Sequence, residues 1–366
     1  MLKPIISADS HVMEPPGTYI DRIDKKFLDR APRMVHDERR GDVFLVEGSK
    51  NPIPLSLVSA AGRLPEDLSP KGAVFEKLHK GGWDPDARLV DMDRDGVSAE
   101  IIYPSVGMEI CNIPDMDLKK ACLDAYNLWI AEYSGAHPDR LIGLGQTALR
   151  TPDEGIEDLR KIKALGLRGV MLPGMPGQED YNSPIYDEFF EASIDLGLPL
   201  SFHILTSGEG LKQGYRGKKM NSFMGIIRSN QDIMSMFCFD GVFERHPKLK
   251  IVCVEADAGW VPHFIYRMDH AYKRHRYWLK GTELAKMPSQ YFLEHIYLTF
   301  QDDHTAFQFK DHMNVERLMW ASDYPHSDST WPWSQDVLAE QTANLSETER
   351  NAVLHDNAAS LYNLAI

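Results

Sequence analysis

The chain has 366 residues, 43% of them apolar and 26% charged, and a formal net charge of −14. That length and balance fit one large globular α/β domain that buries its core without covalent staples. The negative charge argues against nucleic-acid and anionic-membrane partners, and no uncharged stretch reaches transmembrane length.

Short apolar runs alternate with helical patterns. Eight strands are predicted, over residues 4–11, 99–105, 141–148, 167–173, 198–204, 249–255, 296–301 and 318–323. Most are nearly continuous apolar runs, as parallel strands covered on both faces require. Helices are predicted over 115–136, 153–165, 185–196 and 346–362. Leu118, Cys122, Tyr126 and Ile130 recur at spacings of four in the first, and Ser346 with Glu349 forms a capping box before the last. Eight strand–helix repeats favour a closed (β/α)8 TIM barrel in a single domain spanning 1–366. Residues 12–82, rich in Pro, Gly and charge with a hairpin-like piece at 43–54, read as an insertion over the barrel mouth. Residues 206–220 read as a second long loop, after strand five. The cysteines Cys111, Cys122, Cys238 and Cys253 match neither a zinc ribbon nor a redox pair. With no leader-like segment, they point to free thiols in the cytoplasm.

The chemistry gathers at the strand ends, which right-handed crossovers place on one face. Strand one ends in Asp9-Ser10-His11, whose first and third residues share a face; alone, the pair is half of a metal site or a buried hydrogen-bonded pair. Strand five ends in His203 and strand eight in Asp323. Together the four make a normal divalent-metal set with room for water or substrate. Glu255, ending strand six, reads either as a general base or acid or as a partner fixing a ligand histidine, with Asp257 the weaker candidate. His304 and His326 are candidates for orienting substrate or carrying protons, or are plain loop histidines. Arg216, within the basic cluster Lys212, Arg216, Lys218 and Lys219, is a candidate for an anionic substrate group or part of a solvated loop. Tyr103, Trp260, Trp331 and Trp333 are candidate pocket walls or core residues.

The opening Ile6-Ser7-Ala8-Asp9-Ser10-His11-Val12-Met13-Glu14-Pro15 resembles the start of the decarboxylase-like branch of the amidohydrolase superfamily. Three further segments agree in order: Arg245-His246-Pro247-Lys248-Leu249-Lys250-Ile251, Ala321-Ser322-Asp323-Tyr324-Pro325-His326, and Asp356-Asn357-Ala358-Ala359-Ser360-Leu361-Tyr362. The resemblance implies one divalent metal, zinc foremost and manganese as the other choice, on Asp9, His11, His203 and Asp323. It also implies a homodimer or higher homo-oligomer. The branch generally carries a histidine where this chain has Glu255. Two reactions follow for a small carboxylic acid or ketone substrate. The first is non-oxidative decarboxylation of an aromatic or unsaturated acid, with Asp323 delivering the proton. The alternative is hydrolysis of an ester, an amide or a carbon–carbon bond next to a ketone, with Asp323 or Glu255 as base.

Overall fold

The computed structural model describes residues 2–207 and 217–365. Its first strand, β1 (Ile5–His11), is buried along its whole length. A small antiparallel sheet follows: β2 (Arg33–Asp37) pairs with β3 (Gly41–Leu45), and β3 with β4 (Ile53–Pro54). The hairpin expected at 43–54 is therefore only the second half of a three-stranded sheet. Tyr19, Phe44 and Leu55 carry this region into the main core.

The remaining strands are parallel. β5 (Val97–Tyr103) lies between β1 and β6 (Leu141–Gly143). Six more follow, each beside the next: β7 (Gly145–Gln146), β8 (Val170–Met171), β9 (Leu200–His203), β10 (Ile251–Val254), β11 (Ile296–Phe300) and β12 (Leu318–Trp320). At the seam Leu144 N–H donates to Ile102 O (3.1 Å) and Gly145 N–H to Gly169 O (3.0 Å), so β6 and β7 are one barrel strand that changes neighbours. The ring closes where Asp323 N–H donates to Asp9 O (3.0 Å) and His11 N–H to Tyr324 O (2.6 Å). This is a (β/α)8 barrel with all eight strand C-termini at one mouth.

The ladders are shorter than the apolar runs suggested. The third run splits at Leu144, where Gly143 and Gly145 are pressed against helices; a Cβ on Gly145 would lie 2.7 Å from Ile162. The eighth stops at Trp320 because Asp323 adopts a left-handed φ of 54°, which no ladder continues. Helix termini follow local chemistry. Asp115 caps Met116–Gly135, Thr151 caps Pro152–Ala164, and Asp187–Leu196 ends at left-handed Gly197. Ser346 and Glu349 form their capping box, but the helix after it breaks into Glu347–Asn351, a π-turn at Ala352–Asp356, and Asn357–Leu361.

Strict alternation along β1 would not bring Asp9 and His11 to the axis. Ile6 and Ala8 already pack with Ile101, Val252 and Met319 inside the barrel, which assigns Ser10 to the interior as well. The register against β5 steps from Ser7–Glu100 to Ser10–Ile102, three residues against two. This one-residue bulge inverts the pleat, so Asp9 and His11 turn inward and Ser10 turns out to Ser7, Ser322 and Glu100.

A buried guanidinium clasps the seam from outside. Arg88 Nε donates to Glu100 Oε2 (2.5 Å), Nη1 to His11 O (2.8 Å) and Gly81 O (3.2 Å), and Nη2 to Tyr324 O (3.4 Å). It thus ties the ends of β1 and β12 to β5. Arg88→Met should destabilise the protein by about 3–5 kcal/mol, because Glu100 keeps a buried charge without its partner. Equilibrium unfolding in denaturant measures this, and a loss below about 1 kcal/mol would show the clasp to be dispensable.

Candidate metal centre

Three backbone devices aim donors into the mouth. The bulge brings Asp9 and His11. Simple alternation brings His203 on β9, and Thr299 and Gln301 along β11. Left-handed backbone at Glu255 (φ 56°), Asp257 (φ 56°) and Asp323 (φ 54°) turns carboxylates inward where the strands stop. Such conformations cost about 1–3 kcal/mol each in non-glycine residues and concentrate at functional sites.

His11 Nε2 and His203 Nε2 face each other at 3.1 Å, with the rings edge to face. His11 Nε2 is 3.4 Å from Asp9 Oδ1, 3.4 Å from Asp323 Oδ1 and 3.8 Å from Glu255 Oε2. His203 Nε2 is 3.1 Å from Glu255 Oε2 and 3.7 Å from Asp9 Oδ1. The opposite ring nitrogens are committed: His11 Nδ1–H donates to Pro104 O (2.9 Å) and His203 Nδ1–H to Ile204 O (3.0 Å). Those carbonyls can only accept, so both neutral rings present Nε2 lone pairs to the same point. Thr299 completes the support, accepting from Glu255 N–H (2.9 Å) and donating to Asp9 Oδ2 (3.4 Å).

Metal-ligating atoms of Asp9, His11, His203 and Glu255 all lie within 4.8 Å of one another, and so do those of His11, Glu255, Asp323 and His326. The expected residues Asp9, His11 and His203 fall in the first group and His11 and Asp323 in the second, with His11 and Glu255 common to both. Left-handed backbone puts Glu255 there, carrying it from the outer face of β10 into the mouth. Among the described residues Asp9 Oδ1 and both Asp323 oxygens are buried without a hydrogen-bond partner. Unpaired buried carboxylate oxygens around two converging lone pairs call for a cation, and two imidazoles with carboxylates suit a divalent metal.

Without a metal, protons stand in. Burial lowers the His203 value, but Asp9 and Glu255 outweigh it and lift it to about 10; His11 rises for the same reasons. Burial would raise Asp9 and Glu255, and the two histidines outweigh it and hold both below the usual carboxylate range. Asp323 is pushed well above that range by burial and then by Glu255 and Asp9. His326 is held well below the usual imidazole value by burial and then by His11, on which its ring stacks at 3.8 Å. Its Nε2 meets Ser105 Oγ at 2.7 Å, and its Nδ1 stands 3.1 Å from Asp323 Oδ1.

The cluster opens onto a cavity of about 430 Å³. It is lined by apolar side chains, among them Ile53, Val58, Met108, Ile204, Phe223 and Ile227, and by polar ones, among them Glu255, Asp257, Gln301, Asp323, His326 and Asp328. Burial and then Asp303 and Asp328 push Asp257 up to about 7.

Several sequence candidates lie elsewhere. His304 opens an exposed turn, His304–Gln308, capped by Asp303; its Nε2 contacts Gln308 and it does not line the cavity. Tyr103 is buried in the barrel interior below the histidines, its OH 3.4 Å from Tyr362 OH, because it follows the inward face of β5. Trp260 packs on Phe264 and Phe292, Trp331 packs on Tyr324, and Trp333 is half-exposed; none lines the cavity. Arg216 and Lys212 lie outside the described residues, while Lys218 and Lys219 are exposed. Sequence reasoning passed over Thr299, Gln301, Ser105, Asp328 and Arg88. Thr299 and Gln301 were findable, being spaced by two at the end of an apolar strand.

A model of the amidohydrolase family matches residues 52–364. The chain is 25% identical over 303 residues to the 2-amino-3-carboxymuconate-6-semialdehyde decarboxylase of Dictyostelium discoideum, covering 80% of each chain. An amidohydrolase structure from Mycobacterium avium subsp. paratuberculosis K-10 superposes with a TM-score of 0.80 at 23% identity, covering 98% of this chain and 99% of that one. The 5-carboxyvanillate decarboxylase of Novosphingobium aromaticivorans, complexed with manganese, gives 0.70 at 19% identity, over 98% of this chain and 96% of its own.

Metal binding must release protons. His203, lifted to about 10, is protonated at neutral pH and ligates only after losing that proton. Divalent-metal affinity should therefore rise about tenfold per pH unit for each proton displaced, and fall as the medium becomes acidic. Metal at about a hundredfold excess over its dissociation constant should add about 2.7 kcal/mol of stability, lost on chelation. Calorimetric titration across pH reads the first effect, and an affinity that does not change between about pH 6 and 9 would contradict the assignment of these protons.

Proposed function

This chain belongs to the amidohydrolase family, and on that premise we propose that it is a metal-dependent decarboxylase of an aromatic or unsaturated carboxylic acid. The observation that carries the reading is a cavity that joins the two kinds of surface such an acid needs. Glu255, Asp323 and His326 of the donor cluster line it together with apolar side chains, in a space of about 430 Å³ that suits a single-ring acid. The related enzymes from Dictyostelium and Novosphingobium, both decarboxylases by name, support it.

Asp9, His11, His203 and Glu255 would hold the ion, with Asp323 closing the set on the cavity side. A divalent cation there supplies positive charge that draws in an anionic acid and offsets negative charge as carbon dioxide leaves. The apolar lining side chains pack against the ring and keep water from it. Asp323, buried, unpaired and bordering the cavity, delivers the proton to the ring carbon. His326 Nδ1, 3.1 Å from Asp323 Oδ1 with its ring fixed by Ser105, orients the Asp323 carboxyl. Zinc is the ion we infer, from the mixed imidazole and carboxylate donors; manganese in the Novosphingobium relative makes it the other choice.

A second reading, hydrolysis, is favoured by one observation. Glu255 stands where a carboxylate could take a proton from water, 3.1 Å from His203 Nε2. We further infer a homodimer, supported by the exposed Tyr266, Tyr277, Trp278 and Leu279 along one helix. A reducing, cytoplasmic setting is supported by four buried free thiols. No helix among the described residues is long and apolar enough to cross a membrane.

The metal-loaded protein is tested on hydroxybenzoates and β-keto acids in deuterated and in ¹⁸O-labelled water. Decarboxylation should release carbon dioxide and place one deuterium on product carbon. Label from water in a product carboxylate would instead establish hydrolysis. Asp323→Asn should lower turnover by about 10²- to 10⁴-fold, with bound metal quantified in parallel.

A further inference from the structure

The end of the barrel opposite the donor cluster holds a second cavity of about 430 Å³, bounded by the approaches to β8, β9 and β10 and by residues 360–363. Four cations line it: Lys163 at the end of Pro152–Ala164, Arg168 before β8, and Lys248 and Lys250 before β10. In a chain of net charge −14 such a gathering runs against composition. Asp195 is the one carboxylate in the lining. Elsewhere Arg30, Arg88, Lys120 and Arg150 each hold a carboxylate partner. Among the described residues the side chains of Lys163, Arg168 and Lys248 have no hydrogen bond or ion pair. Arg168 is half-buried, so a guanidinium with five N–H donors is drawn partly out of water without a protein acceptor. Lys250 is half-buried as well; its Nζ reaches only Glu294 O (3.0 Å), and burial and then Arg317 hold its ammonium below the usual value.

Helix electrostatics account for Lys163 alone, which sits in the last turn of its helix, where the dipole favours a cation. Arg168, Lys248 and Lys250 stand outside any helix, on segments entering strands. Like charges around one concavity repel, and its low-dielectric walls focus their field on an incoming anion. A single carboxylate offsets one charge of the four. A di- or triphosphate carries several, and its paired oxygens match the guanidinium fork. Ser360 and Asn363 add neutral polar groups to the same cavity, and Leu196, Pro199 and Leu361 add apolar contact. We propose that this cavity is a second ligand site, where Lys163, Arg168, Lys248 and Lys250 bind a di- or triphosphate group, free or carried by a nucleoside. The site is independent of the reaction proposed for the mouth. Its occupant joins the entries of β8, β9 and β10 to the C-terminal segment.

The test is calorimetric titration of the zinc-loaded protein with inorganic phosphate, pyrophosphate and ADP at low ionic strength, with bound zinc quantified throughout. Pyrophosphate should bind one to one, about tenfold or more tightly than phosphate, and its affinity should fall as salt is added. ADP binding more tightly than pyrophosphate marks the group as nucleoside-borne, and equal or weaker binding marks it as free; both support the site. Arg168→Gln combined with Lys248→Gln should weaken pyrophosphate by about tenfold or more, through lost charge-assisted hydrogen bonds, while zinc content holds. Lys163→Gln combined with Lys248→Gln changes only exposed side chains and should act in the same direction if the first variant folds poorly. Binding that both double variants leave unchanged would put the anion elsewhere, the zinc included, and overturn the proposal. Equal affinity for phosphate and pyrophosphate, or no binding at millimolar pyrophosphate, would overturn it as well.

Discussion

Two imidazole nitrogens aimed at each other across 3.1 Å, inside a barrel and ringed by carboxylates, form the constraint from which the rest of this protein follows. Such a group cannot sit in an apolar interior as it stands. Lone pairs repel, and carboxylate oxygens without donors are costly to bury. Protons or a metal ion must neutralise it, and the geometry favours the ion because backbone carbonyls have already taken both Nδ1 hydrogens. The centre is organised before anything binds, since the groups that orient the donors are parts of the barrel wall.

The wall is built to resist relaxation. The mouth joins the first and last strands, and that seam has only a few backbone hydrogen bonds of its own. Arg88 and Glu100 reinforce it from outside, while Ser7, Ser10 and Ser322 link β1 to the end of β12 beneath it. Left-handed Glu255, Asp257 and Asp323 sit where strands stop, and the packed barrel below keeps them there. Stability and function draw on the same residues. The bulge that weakens the β1–β5 ladder is what turns Asp9 and His11 inward.

The composition of the cavity bears on substrate. Its lining combines cation-seeking carboxylates and an imidazole with apolar side chains. A flat ring with one carboxylate uses both. The chain's overall negative charge does not oppose such a ligand at short range, because a bound dication dominates the local field.

Eight strands, their order and their common polarity were legible in the sequence, because parallel strands covered on both faces leave apolar runs, although the ladders stop short of the ends of those runs. His203 and Asp323 were legible too, as polar residues ending such runs. Asp9 and His11 were expected at the axis by alternation, yet the alternation set by Ile6 and Ala8 points the other way, and only the bulge reconciles the two. Glu255 was legible as a mouth carboxylate, but its place among the histidines depends on a single backbone angle. Arg88, Gln301 and the misplaced His304 share one lesson. Periodicity reports which face of a strand or helix a residue occupies, whereas a site depends on which faces meet. That meeting is decided by long-range packing around the closed ring, which local sequence does not encode.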